Sequence, residues 1–118
     1  MLPKSQRLRL AQDLTATVRS GVRSGRRNVV LYARLRNDDV QGDRFGFIVS
    51  KAVGNAVHRN LTKRRMREIS RILRTEDGNI DYVLRALPGA AELPWTELNR
   101  QIVGAHQSVL RKVQDSRA

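Results

Sequence analysis

The stretch that decides the fold is KAVGNAVHRNLTKRRMREISR, Lys51–Arg71, in which a glycine–asparagine joint precedes a helix's worth of residues bearing many cations and a single acid, Glu68. Gly54-Asn55 suits a turn followed by a helix cap, so a strand ends before it and a helix starts near Ala56. Wound at about 100° per residue, the segment sorts into two sides. Val57, Leu61, Met66, Ile69, Ile72 and Leu73 form the side expected to be buried, with His58 on it or at its rim. Arg59, Lys63, Arg64, Arg67, Arg71 and Arg74, together with Asn60, occupy the other side, which holds no acid. Arg65 and Glu68 project toward the apolar side, Glu68 within reach of Arg64 or Arg71 at helical spacing. Like charges on a helix repel, and solvated helix faces usually intersperse acids with cations. A flank of one sign therefore expects an anionic partner, and a merely solvated face is the weaker alternative. Five of the six cations are arginine, which suits bidentate phosphate contact and stacking on bases and favours RNA.

The rest of the charge has the same segregation. Net charge is +12, with seven cations and one acid in residues 1–27, three of each in 28–50, eight cations and one acid in 51–74, and five cations against six acids in 75–118. Two basic blocks in so small a chain predict a continuous positive surface for a polyanion, with nucleic acid ahead of anionic membrane. At 118 residues the chain is expected to be a single domain, 1–118, with one modest core. Aromatics are only 4%, so that core draws on Leu, Ile, Val and Ala. Cysteine is absent, which excludes disulfides and thiolate metal sites, and two histidines, His58 and His106, argue against zinc. No apolar run nears the roughly 18 residues that span a bilayer, and no secretory signal pattern opens the chain, so a cytoplasmic protein is expected. The Arg-rich, acid-poor amino end also imitates a mitochondrial presequence, an alternative the remainder disfavours.

Working outward from the basic helix, Leu10, Leu14 and Val18 draw one stripe along a helix over 6–19, stopped by Gly21. Residues 28–36 and 44–50 are rich in β-branched and aromatic side chains, and the turn-like NDDVQGD between them predicts an antiparallel hairpin. Residues 80–87 read as another strand closed by Pro88-Gly89. From Trp95 onward, Leu98, Ile102, Ala105, Val109 and Val113 recur at helical spacing. The order helix, strands, basic helix, strand, helix predicts an α+β sandwich, its helices covering a small sheet. No paired carboxylate motif, metal cluster or nucleophile with an attendant base is present, and Gly54 is a turn residue and not part of a phosphate loop.

The central stretch resembles the family of bacterial ribonuclease P protein components. Lys51, Val53, Gly54, Asn55, Ala56, Val57, Arg59, Asn60, Lys63, Arg64, Arg67 and Glu68 fall in register with its most specific motif. LPKSQRLRL with the following DL, then VVLY, DYVLRALPGAAEL and WTELNRQI, resemble successive parts of the family, so nearly the whole chain is covered. The resemblance implies an α-β-β-β-α-β-α order, with a mixed sheet, a short extra strand near Val22 and a left-handed βαβ crossover against the usual hand. It implies a subunit of an RNA enzyme that removes 5′ leaders from precursor tRNA, with catalysis and Mg²⁺ belonging to the RNA, no catalytic residue or tightly bound metal in the protein, and no small-molecule substrate. It further implies that Asn55, Arg59, Asn60, Lys63, Arg64, Arg67 and Arg71 meet the catalytic RNA. A cleft between that helix, the first helix and the sheet would hold the single-stranded leader, with Leu14, Val18, Tyr32, Ser50 and Lys51 around it.

Several positions depart from the family's pattern. Leu14 and Val18 stand where aromatics are frequent, leaving a base-stacking platform open to question and a plain core role equally open. Leu61 stands where the family usually has arginine, and Ala52 and Leu87 replace usual cations. Rival functions are a structural, ribosomal-type RNA-binding protein, a DNA-binding architectural protein and a stand-alone nuclease.

Overall fold

The computed structural model describes residues 11–38 and 41–117. The elements run α1 (Ala11–Ser20), β1 (Val22–Gly25), β2 (Val29–Leu35), β3 (Arg44–Ile48), α2 (Ala56–Leu73), β4 (Ile80–Ala86) and α3 (Trp95–Arg117). Short 3₁₀ turns at Lys51–Val53 and Ala90–Glu92 lead into α2 and toward α3. The expected α-β-β-β-α-β-α order is present, including the short strand at Val22. The part of the predicted first helix over residues 6–10, with Leu10, lies outside the described residues, as do positions 39 and 40 of the predicted turn.

The four strands form one mixed sheet in the order β1-β2-β4-β3. β1 and β4 pair antiparallel with β2, whereas β3 and β4 are parallel and are joined through α2. The hairpin expected between residues 28–36 and 44–50 is therefore absent: β4 lies between those two strands. The physical reason is visible in β4 itself. Tyr82, Val83 and Leu84 are all buried, so this strand has apolar side chains on both faces and belongs in the middle of the sheet. Alternation then assigns the faces. One carries Val29, Leu31, Ala33, Phe45, Tyr82, Leu84 and Ala86, packed with Leu98, Ile102, Ala105 and Val109 of α3 and Met66 and Ile69 of α2. The other carries Val30, Tyr32 and Val83 beneath Leu14 and Val18 of α1.

The three cations of the electrically neutral span 28–50 are structural. Asp81 is fully buried and accepts hydrogen bonds from Arg36 Nη1 at 2.9 Å, Arg44 Nε and Nη2 at 2.8 and 2.9 Å, and Arg34 Nη2 at 3.2 Å. Burial alone would raise this carboxyl, but the hydrogen bonds from Arg44 and Arg36 overcome it and hold Asp81 below the usual carboxylate range. Asp13 of α1 lies 3.8 Å from both Arg34 and Arg44, so the cluster joins α1 to the sheet as well as β2, β3 and β4 to one another. A second buried acid, Asp43, accepts from the backbone N–H groups of Thr75 and Ile80 and fastens the α2–β4 connection to the start of β3.

Candidate nucleic-acid interface

The start of α2 follows from Gly54 and Asn55. Gly54 has φ of 150°, and a Cβ there would come within 2.9 Å of His58 Cβ, so glycine alone fits this joint. Asn55 takes extended backbone and accepts from the His58 N–H at 3.0 Å, which caps the helix. The helix is seated through Thr62, Met66, Ile69 and Ser70, all buried, with Leu73 partly so. Two of these are small and polar; Thr62 Oγ1 donates to the His58 carbonyl at 2.8 Å and so keeps its hydroxyl paired. Small side chains on the contact line bring the helix close to α3 and the Ala90–Glu92 turn and move the seat toward the cationic side. Consequently Val57 and Ile72, expected to be buried, are 74% and 68% exposed, and His58 is exposed too. Both apolar residues lie beyond the contact footprint, near the two ends of the helix.

This seat sets the disposition of the cations. Asn60, Arg64 and Arg71 are exposed, while Arg59, Lys63 and Arg67 stand half-buried along the border of the contact. The Nε atoms of Arg59 and Arg67 are shielded from solvent without a hydrogen-bond partner. Asn60, Lys63, Arg64, Arg67 and Glu68 line a concavity of about 520 Å³. Glu68 pairs with Arg71 at 2.6 Å, and that hydrogen bond lowers the glutamate's pKa. Arg74, expected on the outward strip, instead donates through Nε to the Asp43 carbonyl at 2.8 Å. Arg65 donates through Nη1 to the Leu93 carbonyl at 2.8 Å, which explains its projection off the strip. The cations free of an acid on this flank are thus Arg59, Lys63, Arg64 and Arg67, among the described residues.

The second candidate surface lies on the face covered by α1. Leu14 and Val18 are half-buried against Val30, Tyr32 and Val83, so they combine packing with an open edge. Leu14, Thr15, Val18, Arg19 and Ile48 line a shallow cavity of about 250 Å³. Tyr32 is 7% exposed and packs beneath Leu14 and Val18, outside the residues that line this cavity. Ser50 and Lys51 are exposed just past the end of β3, at the turn leading to α2. The register adds residues that sequence inspection missed: Arg85 pairs with Val30 on one side and Ile48 on the other, and it is exposed on this same face. Their signal was strand alternation, which became readable only once β4 was known to lie between β2 and β3. Among the described residues no group of three or more His, Cys, Asp or Glu is disposed to hold a metal ion, and no helix is long and apolar enough to cross a membrane.

Comparison with known proteins agrees with the geometry. The family model described as Ribonuclease P matches residues 2–110. The chain is 49% identical over 113 residues to the ribonuclease P protein component of Kocuria rhizophila, covering 95% of this chain and 98% of that one. It is 47% identical over 114 residues to the ribonuclease P protein component of Pseudarthrobacter chlorophenolicus, covering 96% and 83%. In three dimensions it matches the Staphylococcus aureus RNase P protein with a TM-score of 0.76 at 25% identity, covering 93% of this chain and 96% of that one. Family model, relatives and fold all concur with the α2 motif and the mixed sheet: this chain belongs to the ribonuclease P protein family.

Proposed function

We propose that this ribonuclease P subunit works as a two-sided clamp in tRNA 5′ processing. The outward flank of α2, with Asn55, Arg59, Asn60, Lys63, Arg64, Arg67 and Arg71, lies against ribonuclease P RNA. The α1 cleft holds the single-stranded leader of precursor tRNA. The observation that carries this is the division of labour among the cations. Arg34, Arg36 and Arg44 are consumed by Asp81, whereas Arg59, Lys63, Arg64 and Arg67 form no ion pair among the described residues, and the last three border one concavity whose single acid, Glu68, is taken by Arg71. Arg59 and Arg67, whose Nε atoms have no acceptor within the protein, would gain a charge-assisted hydrogen bond by turning their guanidinium groups toward an arriving phosphate. In the cleft, Leu14, Val18 and Ile48 offer apolar contact to bases, and Arg19, Lys51 and Arg85 offer charge to the backbone.

The two buried acids, Asp81 and Asp43, do not suit a resident metal. Asp81 is saturated by three arginines and Asp43 by Thr75 and Ile80. Mg²⁺ and the chemistry of cleavage are accordingly assigned to the RNA, with the protein positioning substrate and neutralising phosphate. The cytoplasm, where precursor tRNA is made in bacteria, is the matching location.

Reconstitution tests the proposal. Added to ribonuclease P RNA, the protein should permit accurate 5′ cleavage of precursor tRNA at low Mg²⁺, and its binding should weaken with salt. Four to five neutralised phosphates give a log–log slope of about −3 to −4.5, the shallower end suiting single strands. A flat salt response would remove the electrostatic account, and tight, salt-dependent RNA binding without any gain in cleavage would favour the ribosomal-type reading instead. Cleavage by the protein alone would point to a nuclease.

A further inference from the structure

The seat of α2 leaves an apolar strip beside the cationic one, and at its middle the start of α3 adds the chain's sole tryptophan. Trp95 is 41% exposed, which is unusual for the largest hydrophobic side chain in a chain so poor in aromatics. Leu61, Arg64, Arg65, Glu68 and Trp95 line a cavity of about 400 Å³ between the two helices. That volume lies within the roughly 300–1,000 Å³ range of ligand-holding clefts.

The chemistry of the lining is specific. Trp95 offers a π-face and Leu61 an apolar wall. Arg65 is held in place by the Leu93 carbonyl, so one guanidinium is positioned in advance, while Arg64 is exposed and free to move. Glu68 is the one acid of the group, and Arg71 already occupies it at 2.6 Å. An aromatic face flanked by guanidinium groups fits a flat, electron-rich ring attached to a phosphate chain, which is the chemistry of an unpaired nucleotide. A protein helix would find charge here that it could not match, and a membrane would find too little apolar area.

We propose that the cleft between α2 and the start of α3 captures one unpaired nucleobase of ribonuclease P RNA by stacking on Trp95, with Arg64 and Arg65 against its flanking phosphates. Leu61 fits this scheme: an arginine at that position would place a third cation where the base must enter, whereas leucine keeps the wall apolar. The site rests on the assembly reading above only for the identity of the RNA.

The single tryptophan makes the test direct. Indole emission should be quenched on saturation with ribonuclease P RNA. Trp95→Leu should weaken binding about 5- to 150-fold, the range for loss of one base stack. Its salt slope should not change, because no charge is removed. Trp95→Phe should recover most of the affinity, and circular dichroism melts would establish that both variants fold. Saturating binding with unaltered indole emission, or Trp95→Leu binding as tightly as the parent, would overturn the proposal. Should ribonuclease P RNA fail to bind at any salt, the assembly reading falls, and a short single-stranded RNA then decides this site: unaltered emission at saturation overturns it, and quenching in the parent, with an affinity that Trp95→Phe keeps and Trp95→Leu loses, supports it.

Discussion

Reversing two outward charges, Arg64→Glu together with Arg71→Glu, is expected to weaken binding of ribonuclease P RNA by about 10²- to 10⁴-fold and to remove cleavage at low Mg²⁺. Each reversal deletes a charge-assisted hydrogen bond of roughly 1.5–3 kcal/mol and adds a repulsion toward phosphate. Both side chains are exposed, so the fold should be nearly indifferent. Surface changes of this kind usually stay within about 0.5 kcal/mol. Arg71→Glu additionally sets two acids three residues apart and costs on the order of 0.2–0.5 kcal/mol more. The choice of residues comes from the structure. Arg67 looks equivalent on a helical wheel, but its half-buried stem would make Arg67→Glu a packing change as well. A somewhat smaller change of net charge on α3, Gln107→Glu with Arg111→Glu, should leave binding within a few-fold of the parent. If that pair were equally damaging, general electrostatic attraction would replace a defined face as the explanation.

The second large effect concerns stability. Asp81→Ala should cost about 3–5 kcal/mol, because Arg36, whose side chain is 2% exposed, would lose its buried acid and keep only weaker partners such as the exposed Asp38 at 3.3 Å, while Arg34 and Arg44 would lose the same acid. For a domain whose total stability is about 5–15 kcal/mol, that is a large share, and the melting temperature should fall by about 10–25 °C. Acid should act on the same cluster. The folded pKa of Asp81 lies below its unfolded value, so its contribution is present above the unfolded pKa, near 3.9, and is lost as pH falls through the folded value. The Asp81→Ala protein should lack this acid-labile component. Replacing the partners together, Asp81→Leu with Arg36→Met, should restore much of the loss, since removing a buried pair costs far less than breaking it. Urea titrations measure each step, and a cost under about 1 kcal/mol for Asp81→Ala would show that water or Asp38 compensates Arg36.

These two effects also mark where the sequence could be read and where it could not. The boundaries of α2 were legible because Gly54 and Asn55 are local signals: a positive φ and a cap depend on neighbours three residues away. The cationic flank was legible for the same reason, as periodicity is a property of the segment alone. Pairing of strands was not. Turn chemistry over 37–43 argued for a hairpin, and only the burial of Tyr82, Val83 and Leu84 on both faces shows why β4 separates β2 from β3. The precise seat of α2 was equally hidden. Val57 and Ile72 have the right residue type for a core, yet their burial depends on how far α3 and the Ala90–Glu92 turn extend along the helix. Arg74 looked like a ligand for phosphate but is bonded to the Asp43 carbonyl, and Arg71, half-exposed, reaches phosphate only while sharing its guanidinium with Glu68. Counting cations along a chain overstates the free charge whenever the fold brings acceptors to some of them. The cleft residues Ile48 and Arg85 were missed because register, not type, places them in one row with Val30.

The most direct measurement of the central claim uses the absence of cysteine from the chain. A single cysteine at the exposed position Asn60 would carry a tethered iron chelate in the assembled enzyme, with a second protein bearing the same probe at Gln107 on α3 as comparison. Hydroxyl radicals from position 60 should cut ribonuclease P RNA at one confined set of nucleotides, and those from position 107 should leave that set intact. Equal cutting from both positions, or none from position 60 in an active enzyme, would contradict an α2 flank laid against the RNA.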